Sequence, residues 1–258
     1  MGRAEEGEGG VRAVERAIDI LFSFTQNQPV RDMPGLQAQT GLSRPTLYRL
    51  LHTLESKGLV YSFGSPKRFQ LGYRFGMLSN TWSQNPALVA IAGERLEQLW
   101  RQTQETVALM MPVSPTHRMC VFELKSPQAI SFSRGTGYTE PLHRGASGKV
   151  ILAHLSAEQQ QAALGSVPAE SRTRISRELE SVRIKHFLVT HGEVIPGTVA
   201  IASPVLAGSG EVLAAICVFG TELRLQGATL RACELAILQA ARDVSQMLSS
   251  DGGVSKPV

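Results

Sequence analysis

The sequence has few of the residues that build metal centres or disulfide frameworks. Its three cysteines are scattered at Cys120, Cys217 and Cys233, no two of them form a CxxC pair, and the histidines do not complete a metal site with them. Zinc sites need closely spaced ligands, and small secreted scaffolds need a dense set of cysteines. We therefore expect buried, reduced thiols, no metal and no cofactor.

Long apolar runs are also missing. The longest uninterrupted run spans only residues 212–219, whereas a transmembrane helix needs about 20 apolar residues. The first ten residues are rich in Gly and Glu and contain no apolar stretch. This composition excludes a secretory signal there and predicts a disordered tail. We expect a cytoplasmic protein with no membrane segment.

The charge is concentrated in one part of the chain. Residues 40–75 carry six basic side chains against Glu55 alone, whereas residues 86–258 carry 16 basic and 15 acidic ones. A length of 258 residues exceeds the usual size of one domain. The sequence thus predicts two domains, of which the smaller, N-terminal one has the basic excess typical of nucleic-acid binding.

The N-terminal part has the pattern of a helix-turn-helix. Apolar residues recur at helical spacing over 11–24, which predicts an amphipathic helix. A short second helix is expected around 36–40, its start delayed by Pro34. Gly41 then permits a tight turn, and Ser43 is a favourable N-cap for a third helix.

The third helix has the two faces of a recognition helix. Leu47, Leu50, Leu51 and Leu54 form an apolar face, and polar or basic side chains occupy the opposite one. Such a face suits the major groove, although a solvated helix surface would look the same in isolation. Gly58 ends this helix, and 59–63 and 68–71 alternate like two strands of a wing that places cations against phosphates. The predicted DNA contacts are Ser43, Arg44, Pro45, Thr46, Tyr48, Arg49, His52, Lys67 and Arg68.

Several segments together resemble the IclR family of transcriptional regulators. They are VERAIDILF (14–22), GLSRPTLYRLLHTLESKGLV (41–60), RFQLG (68–72), PLHRGASGK (141–149), GEVIPG (192–197), IASPV (201–205) and GEVLAAI (210–216). The resemblance covers residues 12–248 and departs from the family at Pro34, where relatives continue an uninterrupted second helix. It implies a GAF-like effector domain and a linker that assists dimerisation.

The whole pattern predicts an α+β protein with a winged helix-turn-helix, a linker helix and a GAF-like domain whose sheet is mostly antiparallel. Short returns such as 207–210 favour the antiparallel order. The predicted parts are a disordered tail (1–10), the winged helix-turn-helix (11–72), the linker helix (73–85), the effector-binding domain (86–250) and a flexible tail (251–258).

One helix start is a candidate ligand site. Small residues from Gly145 to Gly148 open a helix, whose N–H groups and dipole suit an anion, although close packing alone would explain them. The resemblance implies effector contacts at Ala146, Ser147, Thr190, Thr198, Ala200, Cys217 and Phe219. Since this lining is less charged than in relatives that bind small polar acids, we expect a small organic or aromatic acid.

The same segment does not match the motifs of two common enzyme classes. A nucleophile elbow needs G-x-S-x-G, but Gly148 directly follows Ser147. A phosphate loop needs Gly at position 143 and Ser or Thr at position 150, but the chain has His143 and Val150. His143, Lys149, His191 and Glu193 are conceivable acid-base groups that no motif joins. We therefore expect no enzyme.

The sequence predicts a regulator that binds a pseudo-palindromic operator in double-stranded DNA, as a homodimer or a dimer of dimers, under the control of a small-molecule effector. A sensory or scaffolding protein, in which the helix-turn-helix is only an interaction module, is the alternative. The cations at 44, 49, 67 and 68 argue against it.

Overall fold

The computed structural model describes residues 11–25, 28–82 and 86–250. The chain divides into two compact units with the boundary between Gln84 and Asn85. The tails predicted at 1–10 and 251–258 lie outside the described residues. Within the described ranges, the helices are too short or too polar to cross a bilayer.

The N-terminal unit is a small helical bundle with a short sheet. Its elements are α1 (Arg12–Phe22), β1 (Val30–Asp32), α2 (Met33–Thr40), α3 (Arg44–Ser56), β2 (Val60–Phe63), β3 (Arg68–Leu71) and α4 (Arg74–Trp82). Its antiparallel sheet has the order β1-β3-β2. Ile20, Leu36, Leu47, Leu51 and Phe69 lie in the core that joins the helices to the wing.

The start of α2 differs from the prediction. The helix begins at Met33 and contains Pro34 in its first turn, so the expected delay caused by this proline is wrong. A proline in the first turn removes an N–H that has no partner within the helix. The side chain of Asp32 caps the helix by accepting a 2.9 Å hydrogen bond from the N–H of Gly35.

The C-terminal unit is a six-stranded sheet between helices. Its elements are α5 (Pro86–Thr103), β4 (Thr106–Pro112), β5 (His117–Leu124), β6 (Thr139–Pro141), α6 (Gly145–Ala153), α7 (Ala157–Leu164), α8 (Ala169–Lys185), β7 (Leu188–His191), β8 (Thr198–Leu206), β9 (Val212–Thr221) and α9 (Gly227–Ser250). The strand order is β6-β5-β4-β9-β8-β7, and every neighbouring pair is antiparallel. The predicted α+β class with a mostly antiparallel sheet is confirmed.

The two faces of this sheet carry different side chains. Toward α5 and α9, β4 and β9 present large residues such as Leu109 and Ile216. Toward α6 and α8 they present Ala108, Ala215 and Cys217, because side chains alternate along a strand. The smaller residues on the α6 side leave space between the sheet and the helix.

Candidate functional site

The outer face of α3 is exposed and basic. Among the nine predicted DNA contacts, Thr46 is half-buried and the other eight are exposed: Ser43, Arg44, Pro45, Tyr48, Arg49, His52, Lys67 and Arg68. Leu47, Leu51 and Leu54 are buried on the opposite face. The helical period therefore separates the two faces as the sequence predicted.

The helix start adds one detail that sequence did not reveal. Ser43 occupies the N-cap position, but its side chain makes no capping bond to the backbone. Its Oγ lies 2.9 Å from Oγ1 of Thr46 instead. The Arg44 guanidinium lies 5.8 Å from the ring centre of Tyr48, so a cation and an aromatic ring stand together on the exposed face.

The wing is fastened to α3 by the acidic residue of the basic segment. Oε1 of Glu55 accepts hydrogen bonds from the N–H and the hydroxyl of Ser62, at 3.1 and 2.5 Å. This carboxylate is therefore occupied within the fold. Lys67 and Arg68 remain exposed at the wing turn, where the guanidinium of Arg68 stacks on Phe63 at 5.1 Å.

The C-terminal unit contains a cavity between α6 and the sheet, with a volume of about 70 Å³. Six of the seven predicted effector positions line it: Ala146, Ser147, Thr198, Ala200, Cys217 and Phe219. Thr190 is buried in β7 opposite Ala200 and is not part of the wall. Burial raises the pKa of Cys217 to about 12, so its thiol is neutral at physiological pH.

A buried arginine also lines the cavity, and sequence analysis missed it. Arg118 in β5 is only 3% exposed. Its Nε donates to Oγ of Ser147 at 2.9 Å, and its Nη1 donates to the carbonyl of Pro141. In the sequence, Arg118 looks like an ordinary basic residue of a strand. The only sequence signal of its burial is the pair Gly145 and Gly148, against which its guanidinium packs.

A second group of polar residues closes the cavity on the β6 side. The guanidinium of Arg134 lies over the ring of Tyr138 at 4.5 Å and 3.6 Å from Oε1 of Glu140. The Tyr138 hydroxyl donates to the same oxygen at 2.5 Å. Burial, and then this bond to Glu140, raise the pKa of Tyr138. Glu123 accepts hydrogen bonds from the N–H groups at 134 and 135.

The helix start at Gly145 is occupied in part by a protein carboxylate. Oε2 of Glu193 accepts a hydrogen bond from the N–H of Gly145 at 2.9 Å, so the expectation that this N–H awaits a ligand is wrong. Oε1 of Glu193 lies 2.6 Å from Nζ of Lys149, which also contacts Glu178 at 2.6 Å. Lys149 and Glu193 thus form an ion pair that fixes the loop after β7.

Two family models match the chain. The model of the IclR helix-turn-helix domain matches residues 13–62, and the model described as bacterial transcriptional regulator IclR C-terminal matches residues 82–246. Together they include α3, the first three residues of β2 and the walls of the cavity.

Individual proteins agree with these models. The HTH-type transcriptional regulator BhcR of Paracoccus denitrificans is 25% identical over 252 residues, which cover 95% of this chain and 90% of that protein. The transcriptional repressor IclR of Escherichia coli is 23% identical over 246 residues, which cover 92% and 90%.

Solved structures share the fold. One is an IclR homolog from Microbacterium hydrocarbonoxydans in complex with 4-hydroxybenzoate, with a TM-score of 0.77 and 19% identity over 92% of this chain and 99% of that one. Both domain models, full-length relatives and the shared fold agree with the resemblance found in the sequence. The chain belongs to the IclR family of DNA-binding bacterial transcriptional regulators.

Proposed function

We propose that this regulator binds a pseudo-palindromic operator through α3 and the wing, and that a small organic acid in the cavity of the C-terminal unit controls this binding. The observation that carries the proposal is the small cavity, whose wall is largely apolar and contains a few buried polar groups. Such a composition is typical of sites for small molecules. The complex of the Microbacterium homolog with 4-hydroxybenzoate supports an aromatic acid as the ligand class.

The test is operator binding of the full chain with and without candidate acids. Fluorescence anisotropy with the DNA upstream of its own gene measures the affinity, and benzoate, 4-hydroxybenzoate and short aliphatic acids are added in turn. At least one acid should change the apparent Kd about tenfold and be recovered unchanged, because we expect binding without turnover. The effector proposal fails if no acid gives heat in calorimetry and none changes DNA binding.

The DNA contacts lead to a specific prediction about Arg49. Its exposed position on α3 suits a bidentate contact to guanine. Arg49→Ala should therefore weaken operator binding by about 1–3 kcal/mol and relax the preference at one base pair. Anisotropy with a set of single-base operator variants measures both effects.

Lys67→Ala is the matched control for this prediction. Because Lys67 lies in the wing turn, we expect it to contact phosphate, so its loss should weaken all sequences alike and reduce the salt dependence of binding. The docking proposal is wrong if both variants bind the operator like the wild type.

The proposed active species is a homodimer or a dimer of dimers, with 11–72 as the DNA-binding part, 73–85 as the linker and 86–250 as the effector domain. Tyr73 and Met77, at α4, are 73% and 62% exposed, which suits a surface that packs against another copy. Light scattering should give at least twice the 27.9 kDa mass of the chain. A monomer that binds the operator tightly would contradict this expectation. Since the proposed target is DNA, we also propose that the protein acts in the cytoplasm.

A further inference from the structure

We propose that Arg118 binds the carboxylate of the effector and makes the cavity selective for acids over their neutral analogues. The inference deepens the proposed function and rests on it, because it assigns the charged end of the ligand to one side chain. Arg118 stands outside the positions that the family resemblance implied, so only the geometry points to it.

The guanidinium has donor capacity that its hydrogen bonds within the protein do not use. Nε and Nη1 donate to Ser147 and to the carbonyl of Pro141. Among residues 11–25, 28–82 and 86–250, none accepts a hydrogen bond from Nη2. Since Arg118 lines the cavity, this nitrogen is available to a ligand oxygen.

The charge of Arg118 also lacks a direct counterion. Burial lowers its pKa to about 10, which still leaves it protonated at neutral pH. In the described part of the chain, no carboxylate lies within 4 Å of it, whereas Arg134 pairs with Glu140 and Lys149 pairs with two glutamates. Glu140 faces Arg118 across β5 and β6 and attracts it from a greater distance. A buried cation without a close partner is costly, and an anionic ligand would remove that cost.

The start of α6 increases the positive potential at the same place. A Cβ atom at Gly145 would lie 3.5 Å from Nη2 of Arg118, and one at Gly148 would lie 2.5 Å from Nη1. These two glycines therefore let the guanidinium pack against the positive end of the helix dipole. The guanidinium and the start of α6 are two positive groups side by side. Glu193 accepts the hydrogen bond of the Gly145 N–H, and the remaining positive potential favours an anion between these groups and the sheet.

Besides the charged residues described above, the wall contains apolar side chains that suit the other end of the ligand. Ala108, Ala200 and Phe219 line the cavity without charge. A volume of about 70 Å³ is well below the ~300–1,000 Å³ of sites for drug-sized molecules. We infer a monocarboxylate whose body is one small apolar or aromatic group. Because the cavity is partly open to solvent, the ring of benzoate can extend beyond this volume, and benzoate serves as the probe.

The experiment compares benzoate with benzamide, which has the same shape but no charge. Calorimetry with the full chain measures both affinities for the wild type, Arg118→Gln, Arg118→Lys and the control Arg144→Gln. Arg144 is an exposed cation at the N-cap of α6 that does not line the cavity. It therefore reports the effect of a nearby charge without a cavity contact.

The wild type should prefer benzoate by about 10- to 100-fold, as expected for a hydrogen-bonded ion pair. Arg118→Gln should lose this preference and retain its benzamide affinity, while Arg118→Lys should keep part of it because it keeps the charge without the planar fork. Arg144→Gln should bind both probes like the wild type.

Other outcomes overturn the inference. If Arg118→Gln weakens benzoate and benzamide equally, Arg118 only supports the cavity wall. If Arg118→Gln and Arg118→Lys both keep the full preference for benzoate, another group binds the carboxylate, and the effector proposal survives. If the wild type binds benzamide but no acid, the acid class fails in both proposals. If circular dichroism shows that Arg118→Gln does not fold, Arg118→Lys decides the question. A role for the guanidinium fork is refuted if Arg118→Lys keeps both the benzoate affinity of the wild type and its full preference for benzoate over benzamide.

Discussion

Replacing Lys149 by methionine is expected to lower the free energy of unfolding of the C-terminal unit by about 3 kcal/mol. Lys149 is 1% exposed, and its Nζ lies 2.6 Å from both Glu178 and Glu193. Methionine has a similar length but leaves two carboxylates without their cation. Breaking a buried ion pair by removing one partner costs about 3–5 kcal/mol. We expect the lower end because about a quarter of each glutamate side chain is exposed to water.

Urea unfolding followed by circular dichroism measures this change. Lys185→Met is the matched control, since Lys185 is an exposed lysine on α8, and it should change stability by less than about 0.5 kcal/mol. Adding Glu178→Gln to Lys149→Met should restore part of the loss because it removes one of the two opposed carboxylates. The buried ion cluster contributes nothing to stability if Lys149→Met unfolds at the same urea concentration as the wild type.

The faces of single helices could be predicted because they depend on local spacing. Leu47, Leu51 and Leu54 repeat with the helical period, so the burial of one face and the exposure of Arg49 follow from the sequence alone. The strands of the larger sheet could also be predicted from the sequence where long apolar runs form them, as in β9. Local periodicity therefore predicts which face of α3 is exposed without any tertiary contact.

Elements that depend on distant partners could not be predicted. β1 and β6 have three residues each and no apolar pattern, and they exist because β3 and β5 offer hydrogen bonds. The burial of Arg118 likewise requires α6 to fold over β5, which residues 117–124 do not encode by themselves. The effector positions implied by the resemblance line the cavity, except Thr190. The charged residues of its wall could be identified only from the structure.

Replacing Ser147 by tryptophan is expected to abolish the response to acids while operator binding remains. Ser147 is 4% exposed, lines the cavity and accepts a hydrogen bond from Nε of Arg118. An indole at this position would fill a cavity of about 70 Å³ and separate a ligand from the guanidinium. Benzoate affinity should fall by at least about 100-fold, as expected when both burial and a charged hydrogen bond are lost.

Operator binding without ligand should remain measurable, because α3 and its basic face belong to the other compact unit. Ser209→Trp, in the exposed turn between β8 and β9, is the control for a tryptophan outside the cavity and should respond to benzoate normally.

Ser147→Asp tests the same site without a large side chain. Its carboxylate would lie beside Arg118 and take the place that we assign to the ligand, so it should also exclude benzoate. Anisotropy with operator DNA, titrated with benzoate, measures the response of all three variants. Cavity occupation does not control the response if Ser147→Trp and Ser147→Asp both fold and still respond like the wild type.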